Sequence, residues 1–155
     1  MGLDIDFVKV KQKRKQLSYF RKVNFLVKFF NDKIEEYFEG TILNGLDIPI
    51  YKEWCEELLD KCNKVVDKYN ELKATYTTDD KSDTKLFEFQ GANDLFAKFA
   101  SETLPTMVGF FYGSTDYDRW YLDDVKDVIK HLKNDIIPEF DDLFDNECIV
   151  FNADW

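Results

Sequence analysis

Hydrophobic residues follow two different periods along the chain, and each period predicts a different element. Near the N-terminus, apolar side chains alternate with aspartates over residues 3–7 (LDIDF). This period of two predicts a half-buried strand that ends in the basic run at residues 9–15. Such a run is a candidate arm for nucleic acid, but the acidic remainder of the chain favours a solvated strand end or loop.

Two later stretches have apolar residues at intervals of three and four, which predicts long helices over residues 17–39 and 50–76. Each stretch carries one continuous apolar seam. Because a short connection joins them, the two helices should pack antiparallel. The first seam consists of Phe20, Val23, Val27, Phe30, Ile34 and Tyr37, and the second of Tyr51, Cys55, Leu58, Cys62, Val65, Tyr69, Leu72 and Tyr76.

The first predicted helix also has a second apolar side. At about 100° per residue, Phe25 and Phe29 lie nearly opposite the seam, with a polar stripe that includes Arg21, Asn24 and Lys28 between the two sides. A helix that is apolar on two sides is either sandwiched inside the fold or contacts another molecule. We expect the sandwich, and an oligomer contact through Phe25 and Phe29 is the alternative.

Shorter elements are predicted in the second half of the chain. Residues 86–89 fit an edge strand, residues 95–103 a short helix and residues 115–137 a longer helix. Ser114 or Thr115 is expected to cap this last helix, because a hydroxyl at that position accepts a hydrogen bond from a free backbone N–H.

Residues 148–151 form a last predicted strand, so the chain has a strand near each end. The expected fold class is α+β: a mainly helical bundle of three to four helices with a small sheet formed by the N- and C-terminal strands. A single domain is expected to span residues 1–155.

Composition supports a folded, helix-rich domain. Hydrophobic residues make up 45% of the chain and charged residues 34%, which excludes wholesale disorder. Pro (3) and Gly (6) are scarce, which favours long helices over a turn-rich sandwich. The 15 phenylalanines predict a Phe-rich core or contact surface.

Charge is distributed unevenly. Residues 1–38 hold 9 basic and 5 acidic residues, a balance of +4, whereas the rest holds 12 basic and 26 acidic residues, a balance of −14. The acidic part should repel nucleic acid and anionic membrane, so we expect neither as a partner. The acidic part of the chain could instead attract a basic host protein, which is the partner we expect.

The sequence predicts no membrane span and no export signal. The longest uncharged run, residues 103–115, is interrupted by Pro and Gly and is too short to cross a bilayer. No signal-peptide pattern opens the chain, so a cytoplasmic protein is expected.

No metal site, cofactor or catalytic residue is predicted. Cys55 and Cys62 lie on the seam of the second predicted helix, too far apart for a disulfide. We expect both to be small buried residues of the core. The single histidine, His131, has Asp127 and Asp135 one turn away on either side, which allows an imidazole–carboxylate hydrogen bond. Spacing places no Ser or Cys beside it as a nucleophile, and the acidic stretches lack an EF-hand pattern.

Three stretches resemble a family of small uncharacterised proteins from phages and prophages. They are residues 1–4 (MGLD), residues 19–24 (YFRKVN) followed by KFF at residues 28–30, and residues 104–121 (LPTMVGFFYGSTDYDRWY). Members of that family also tend to end in an aromatic strand with a terminal Trp, as residues 150–155 do here.

The chain departs from the family at two places. Relatives often have a His near the position of Val27, and Ser residues where this chain has Ala153 and Asp154. The resemblance implies a phage-type origin and supplies no catalytic residue.

We expect an acidic, non-enzymatic protein-binding accessory factor of a phage or mobile element, acting in the bacterial cytoplasm. The alternative is a small-ligand-binding protein or an enzyme, in which Arg21 and Asn24 converge with Ser114 or Asp118 in a concave pocket. The candidate binding residues are Tyr19, Arg21, Asn24, Lys28, Tyr112, Ser114, Tyr117, Asp118 and Trp120, and the pocket of the alternative is lined by Tyr19, Arg21, Asn24, Tyr112, Tyr117 and Trp120.

Overall fold

The two ends of the chain pair with each other in a computed structural model. Strand β1 (Asp4–Val10) runs antiparallel to strand β4 (Cys148–Asp154) along its whole length. This pairing confirms the predicted α+β fold class with a sheet from both chain ends. The structure describes residues 2–10, 14–37, 44–76, 85–109 and 113–155.

Two further strands complete the sheet. Strand β2 (Arg14–Arg21) lies antiparallel to the other side of β1, and the two-residue strand β3 (Ile48–Pro49) pairs with β4. The strand order is therefore β2-β1-β4-β3. One extra residue, Leu17, enters the β1–β2 register between the pairs Phe7–Ser18 and Val8–Gln16, which makes a β-bulge.

The prediction of a helix from residue 17 is wrong at its N-terminal end. Residues 17–21 belong to β2, where Ser18 and Phe20 are buried and Tyr19 and Arg21 are exposed. Phe20 fits both periods. It lies three residues before Val23, which is a helical spacing, and two residues after the buried Ser18, which is a strand spacing. Pairing with β1 therefore overrides the local helical pattern.

The described residues form four principal helices and a short final helix. The helices are α1 (Asn24–Tyr37), α2 (Lys52–Tyr76), α3 (Gln90–Thr103), α4 (Arg119–His131) and α5 (Ile137–Asp141). Helix α1 packs directly on the sheet, while α2 and α3 pack with α4 on one another. The helix predicted over residues 50–76 is confirmed over nearly its whole length. The helix that ends at His131 continues through a π-helical turn (Leu132–Ile136) into a short final helix.

Two local predictions in the second half are wrong. The expected edge strand at residues 86–89 is a 3-10 helix, Lys85–Glu88, directly before α3. Helix α4 is capped by Asp118, whose Oδ1 accepts a hydrogen bond from the backbone N–H of Tyr121 at 3.0 Å, and not by Ser114 or Thr115. A carboxylate at this position also interacts favourably with the helix dipole.

Helices α1 and α2 are antiparallel, as predicted, but they touch over a limited length. Lys33 of α1 forms an ion pair with Glu57 of α2, and the rings of Tyr37 and Trp54 lie 5.8 Å apart. The closest backbone neighbours of α2 are α3 and α4.

Helix α1 is sandwiched, as its two apolar sides predicted. On one side the ring of Phe30 stacks on Phe151 of the sheet at 4.5 Å, and on the other Phe25 contacts Tyr121 of α4 at 5.6 Å. Phe25 and Phe29 are 2% and 7% exposed. They are therefore not available at the surface for the oligomer contact that the sequence left open.

Within the described ranges, no helix has the length and apolar character needed to cross a bilayer.

Replacing Phe7 by Ala tests the centre of the core. The Phe7 ring contacts Phe20, Phe30 and Phe151 at 5.6–6.0 Å. We expect Phe7→Ala to lower the free energy of unfolding by about 3–5 kcal/mol in urea titrations, because it leaves a cavity between sheet and helix. The control Phe144→Ala removes a ring that is 67% exposed and should cost about 1 kcal/mol or less. Equal losses in the two variants would contradict this core.

Candidate functional site

A cleft of about 170 Å³ lies where the end of β2, the start of α1, residues 113–118 and the first turns of α4 meet. We call it the α4 cleft. Five of the residues that the sequence singled out line it, and they come from distant parts of the chain: Arg21, Asn24, Ser114, Asp118 and Trp120.

Asn24 holds the walls of the cleft together. Its side chain is 3% exposed; its Nδ2 donates a hydrogen bond to the carbonyl of Ser114 at 2.9 Å, and its Oδ1 accepts one from the N–H of Met107 at 3.3 Å. Asn24 therefore attaches both ends of the segment 107–114 to the start of α1. Because both polar atoms of the Asn24 amide bond within the fold, its role is structural rather than ligand-binding.

Tyr117 and Tyr121 also hold the fold. The Tyr117 hydroxyl accepts a hydrogen bond from the N–H of Thr106 at 3.0 Å, and the Tyr121 hydroxyl donates one to the carbonyl of Leu104 at 2.7 Å. Burial raises the pKa of Tyr121 far above its ordinary value. Tyr117 thus supports the cleft from behind, and the prediction that it lines the pocket is not met.

Lys22 and Gly113 meet at the edge of the cleft in unusual backbone conformations. Lys22 has φ +60°, in the left-handed region that a lysine rarely adopts, and Gly113 has φ +86°. A Cβ at position 113 would lie 3.1 Å from the Cβ of Lys22. Glycine is therefore required at position 113 both for its φ and for this close approach.

Charged residues of both signs line the cleft. Asp116, Asp118 and Asp124 are its acidic members, and Arg21 and Lys22 are its basic ones. Partial burial and the nearby Asp127, Asp123 and Asp118 raise the pKa of Asp124 to about 6. Asp124 is therefore a partly buried carboxylate with further carboxylates close by.

An acidic stripe with an exposed tryptophan continues from the cleft along the outer face of α4. Its members are Asp116, Trp120, Asp123 and Asp127, all exposed, and the indole of Trp120 is 70% exposed. The guanidinium of Arg119 lies 5.6 Å from the centre of the Trp120 ring. We call these four residues the α4 stripe. Helical spacing alone places 120, 123 and 127 on one face.

The remaining predicted site residues lie elsewhere. Tyr19 is on the outer face of β2, where its hydroxyl donates to Asp4 Oδ1 at 2.5 Å. Lys28 pairs with Asp32 at 3.0 Å within α1. Tyr112 lies outside the described residues. The structure therefore separates Tyr19 and Lys28 from the cleft.

Lys28 borders a second cavity, of about 210 Å³, between α1, α2 and residues 103–105. Four of its charged side chains form pairs, Lys28 with Asp32 and Lys33 with Glu57, and Glu36 and Lys61 line it as well. Two of its three cations therefore already have a partner inside the cavity, whereas, among the described residues, the cations of the α4 cleft are not paired with its carboxylates.

The fold brings Ser18 to His131, a contact that the sequence did not indicate. Ser18 Oγ lies 3.1 Å from His131 Nδ1, and Asp135 Oδ2 lies 2.7 Å from the same nitrogen, while Asp127 Oδ1 is 3.6 Å from Nε2. In a hydrolytic triad the nucleophile and the carboxylate contact different ring nitrogens. Here Ser18 and Asp135 both meet Nδ1, Asp127 lies beyond hydrogen-bond distance from Nε2, and Ser18 is buried. The cluster therefore attaches β2 to the end of α4.

Other candidate chemistry is structural. Cys55 and Cys62 are buried in the seam of α2, as predicted, and burial raises the pKa of Cys55 to about 12 and that of Cys62 further. Such thiols are poor nucleophiles. Within the described part of the chain, no group of His, Cys, Asp and Glu side chains is arranged to hold a metal ion.

Comparison with protein-family models, curated proteins and solved structures finds no significant match for the chain. The resemblance to phage and prophage proteins therefore stays a prediction.

Replacing Lys22 by Gly tests the backbone strain at the cleft. A non-glycine residue in the left-handed region costs about 1–2 kcal/mol, part of which the more flexible unfolded glycine chain offsets. We expect Lys22→Gly to raise the free energy of unfolding by up to about 1 kcal/mol, as measured by urea denaturation. The control Lys28→Gly, inside α1, should instead lower it by about 1 kcal/mol. A destabilised Lys22→Gly protein would show that position 22 is not strained.

Replacing Asp124 by Asn tests the electrostatics of the cleft. The folded-state pKa of Asp124 is about 6 and the unfolded one about 4, so the native state holds the extra proton between these values. Wild-type stability should therefore fall as pH rises from 4 to 6. Because Asp124 is partly exposed, the gain in stability is smaller than the full pKa shift would give. We expect Asp124→Asn to be more stable than the wild type by about 1–2 kcal/mol at pH 7 and about equally stable at pH 4. Thermal unfolding across this range measures it, and a pH-independent difference would contradict the assignment.

Proposed function

We propose that this protein is an acidic, non-enzymatic protein-binding module and that the α4 stripe is its contact surface for a basic partner protein. The observation that carries the proposal is Trp120, a large aromatic side chain that is 70% exposed and is surrounded by carboxylates. Tryptophans in such positions are frequent energetic centres of protein interfaces.

The charges around Trp120 support a basic partner. Asp123 and Asp127 are exposed on the same face of α4 as the indole, and Asp116 is exposed just before the helix. Burial raises the pKa of Asp124, and the neighbouring Asp127, Asp123 and Asp118 add to this effect.

Asp123 lies 3.7 Å from Arg119 and Asp127 lies 3.6 Å from the His131 ring. Because surface pairs of this kind contribute little energy, a cationic partner surface still adds a favourable interaction on binding. The Arg119 guanidinium beside Trp120 shows that a cation is accommodated next to this ring.

The origin and compartment rest on the sequence alone. Two observations support a phage or mobile-element accessory role in the bacterial cytoplasm, with a basic host protein as partner. They are the resemblance of residues 1–4, 19–24, 28–30 and 104–121, and the charge balance of −14 after residue 38.

Binding of a fluorescein-labelled peptide of alternating Arg and Gly tests the contact surface. We expect the purified protein to raise the anisotropy of this peptide, with an affinity that falls as NaCl is added, because salt screens exposed charges. Trp120→Ala should weaken binding at least about tenfold, and the double variant Asp123→Asn/Asp127→Asn should weaken it and flatten its salt dependence.

The matched control is Asp60→Asn on α2, which also removes one negative charge but lies outside the α4 stripe. Its carboxylate pairs with Lys64 at 3.0 Å on the surface of α2. A small effect of Asp60→Asn separates a local surface from general attraction by net charge. If Trp120→Ala binds like the wild type, or Asp60→Asn weakens binding as much as the stripe variants, the proposal fails.

A further inference from the structure

The α4 cleft contains opposite charges that do not pair with each other. Arg21 and Lys22 line the same cleft of about 170 Å³ as Asp118 and Asp124, yet no ion pair within 4 Å joins the two groups in the described part of the chain. Elsewhere on the surface, neighbouring charges do pair, as Lys52 and Asp141 do at 3.0 Å. The cleft therefore brings charges of both signs around one cavity without pairing them with each other.

Rigid elements hold these groups apart. Arg21 is the last residue of β2, and its guanidinium lies over Gly2, where a Cβ would be 3.3 Å from the nearest Arg21 nitrogen. The N–H of Lys22 donates to the carbonyl of Leu3 at 2.8 Å while its φ remains +60°. On the other side, the bond from the Tyr121 N–H to Asp118 fixes that carboxylate at the start of α4.

We propose that the α4 cleft binds a free α-amino acid as its zwitterion, with the carboxylate at Arg21 and Lys22 and the ammonium group at Asp118 and Asp124. A carboxylate matches the paired N–H donors of a guanidinium, and an ammonium group brings the N–H donors that two carboxylates accept. The charged groups of this site, Arg21, Lys22, Asp118 and Asp124, are not members of the α4 stripe, although the cleft and the stripe share Trp120.

The size and the rim of the cleft agree with this class of ligand. Pockets for drug-sized ligands measure about 300–1,000 Å³, so a cleft of about 170 Å³ suits a smaller molecule. Trp120 stands at its rim and offers an apolar surface to the ligand's side chain. We therefore expect apolar amino acids to bind more tightly than glycine.

The strained Lys22 gives the proposal a further basis. A glycine at position 22 would adopt φ +60° without strain, and the chain nevertheless carries a lysine there. A charged side chain required in the cleft accounts for this choice. Protonation of Asp124 below about pH 6 would remove part of the site for the ammonium group, so the affinity should fall in that range.

Isothermal titration calorimetry with phenylalanine, leucine and glycine tests the proposal at pH 7.5. Each ligand is compared with its amide, which lacks the carboxylate, and with its N-acetyl derivative, which lacks the ammonium group. We expect the free amino acid to bind and each derivative to bind at least about tenfold more weakly. If none of the three amino acids binds, or if a derivative binds as tightly as the parent, the proposal is overturned.

Two variants locate the site. Lys22→Gly and Asp124→Asn should each weaken amino-acid binding at least about tenfold. Because both are expected to keep or raise stability, lost binding would not be a loss of folding, which circular dichroism verifies. The charge-matched controls Lys64→Gln and Asp60→Asn, both on α2, should leave the affinity unchanged. Unaltered binding by both cleft variants would place the ligand elsewhere and overturn the proposal.

The outcome is separable from that of the proposed protein contact, because the two assays use different probes. If the protein binds amino acids but not the peptide, the proposed protein contact is overturned and the proposed ligand site stands. If it binds the peptide but no amino acid, only the proposed ligand site is overturned.

Discussion

Pairing of β1 with β4 is the interaction on which the rest of the structure depends. It joins residues from opposite ends of the chain in a continuous antiparallel register, from Asp4 opposite Asp154 to Val10 opposite Cys148. This register places Phe7 against Phe151 at 5.6 Å, and Phe30 of α1 stacks on the same ring. Without it, the sheet would be divided into a two-stranded pair and a short edge, which are marginal in water on their own. Helix α1 would then lose the surface on which it packs.

The α4 cleft follows from the way the sheet passes into the helices. The chain leaves β2 at Arg21 and begins α1 at Asn24, so the change of direction is made within two residues. The positive φ of Lys22 makes this turn possible, and it brings Lys22 against Gly113. Asn24 then holds the segment that leads to α4. The same turn that lets α1 pack on the sheet therefore places two cations opposite the acidic start of α4.

Hydrogen bonding separates the polar residues that hold the fold from those that face solvent in the cleft. Asn24, Tyr117 and Ser18 have partners within the fold, and each fastens one segment to another. Lys22 and Asp124 instead line the cleft, the first with a strained backbone and the second with a raised pKa. A protein accepts such local costs where the exposed group has a use, since a neutral or glycine residue at either position would avoid them. The polar residues of the core, by contrast, are explained by the stability of the fold.

The sequence by itself determined the elements whose hydrophobic period is unambiguous. The alternation in β1, the long seam of α2, the strand near the C-terminus and the burial of Cys55 and Cys62 follow from local patterns, because each residue's place on a face is set by its near neighbours. Only the tertiary structure decided that residues 17–21 form a strand, since Phe20 fits both periods and pairing with β1 selected one. It alone brought Ser18 to His131, and residues 21–24 to residues 113–124, because such contacts depend on how elements pack across long separations in the chain. The sequence could name Arg21, Ser114, Asp118 and Trp120, but their meeting in one cleft, and the absence of Tyr19 and Lys28 from it, were set by the turn at Lys22 and the position of α4.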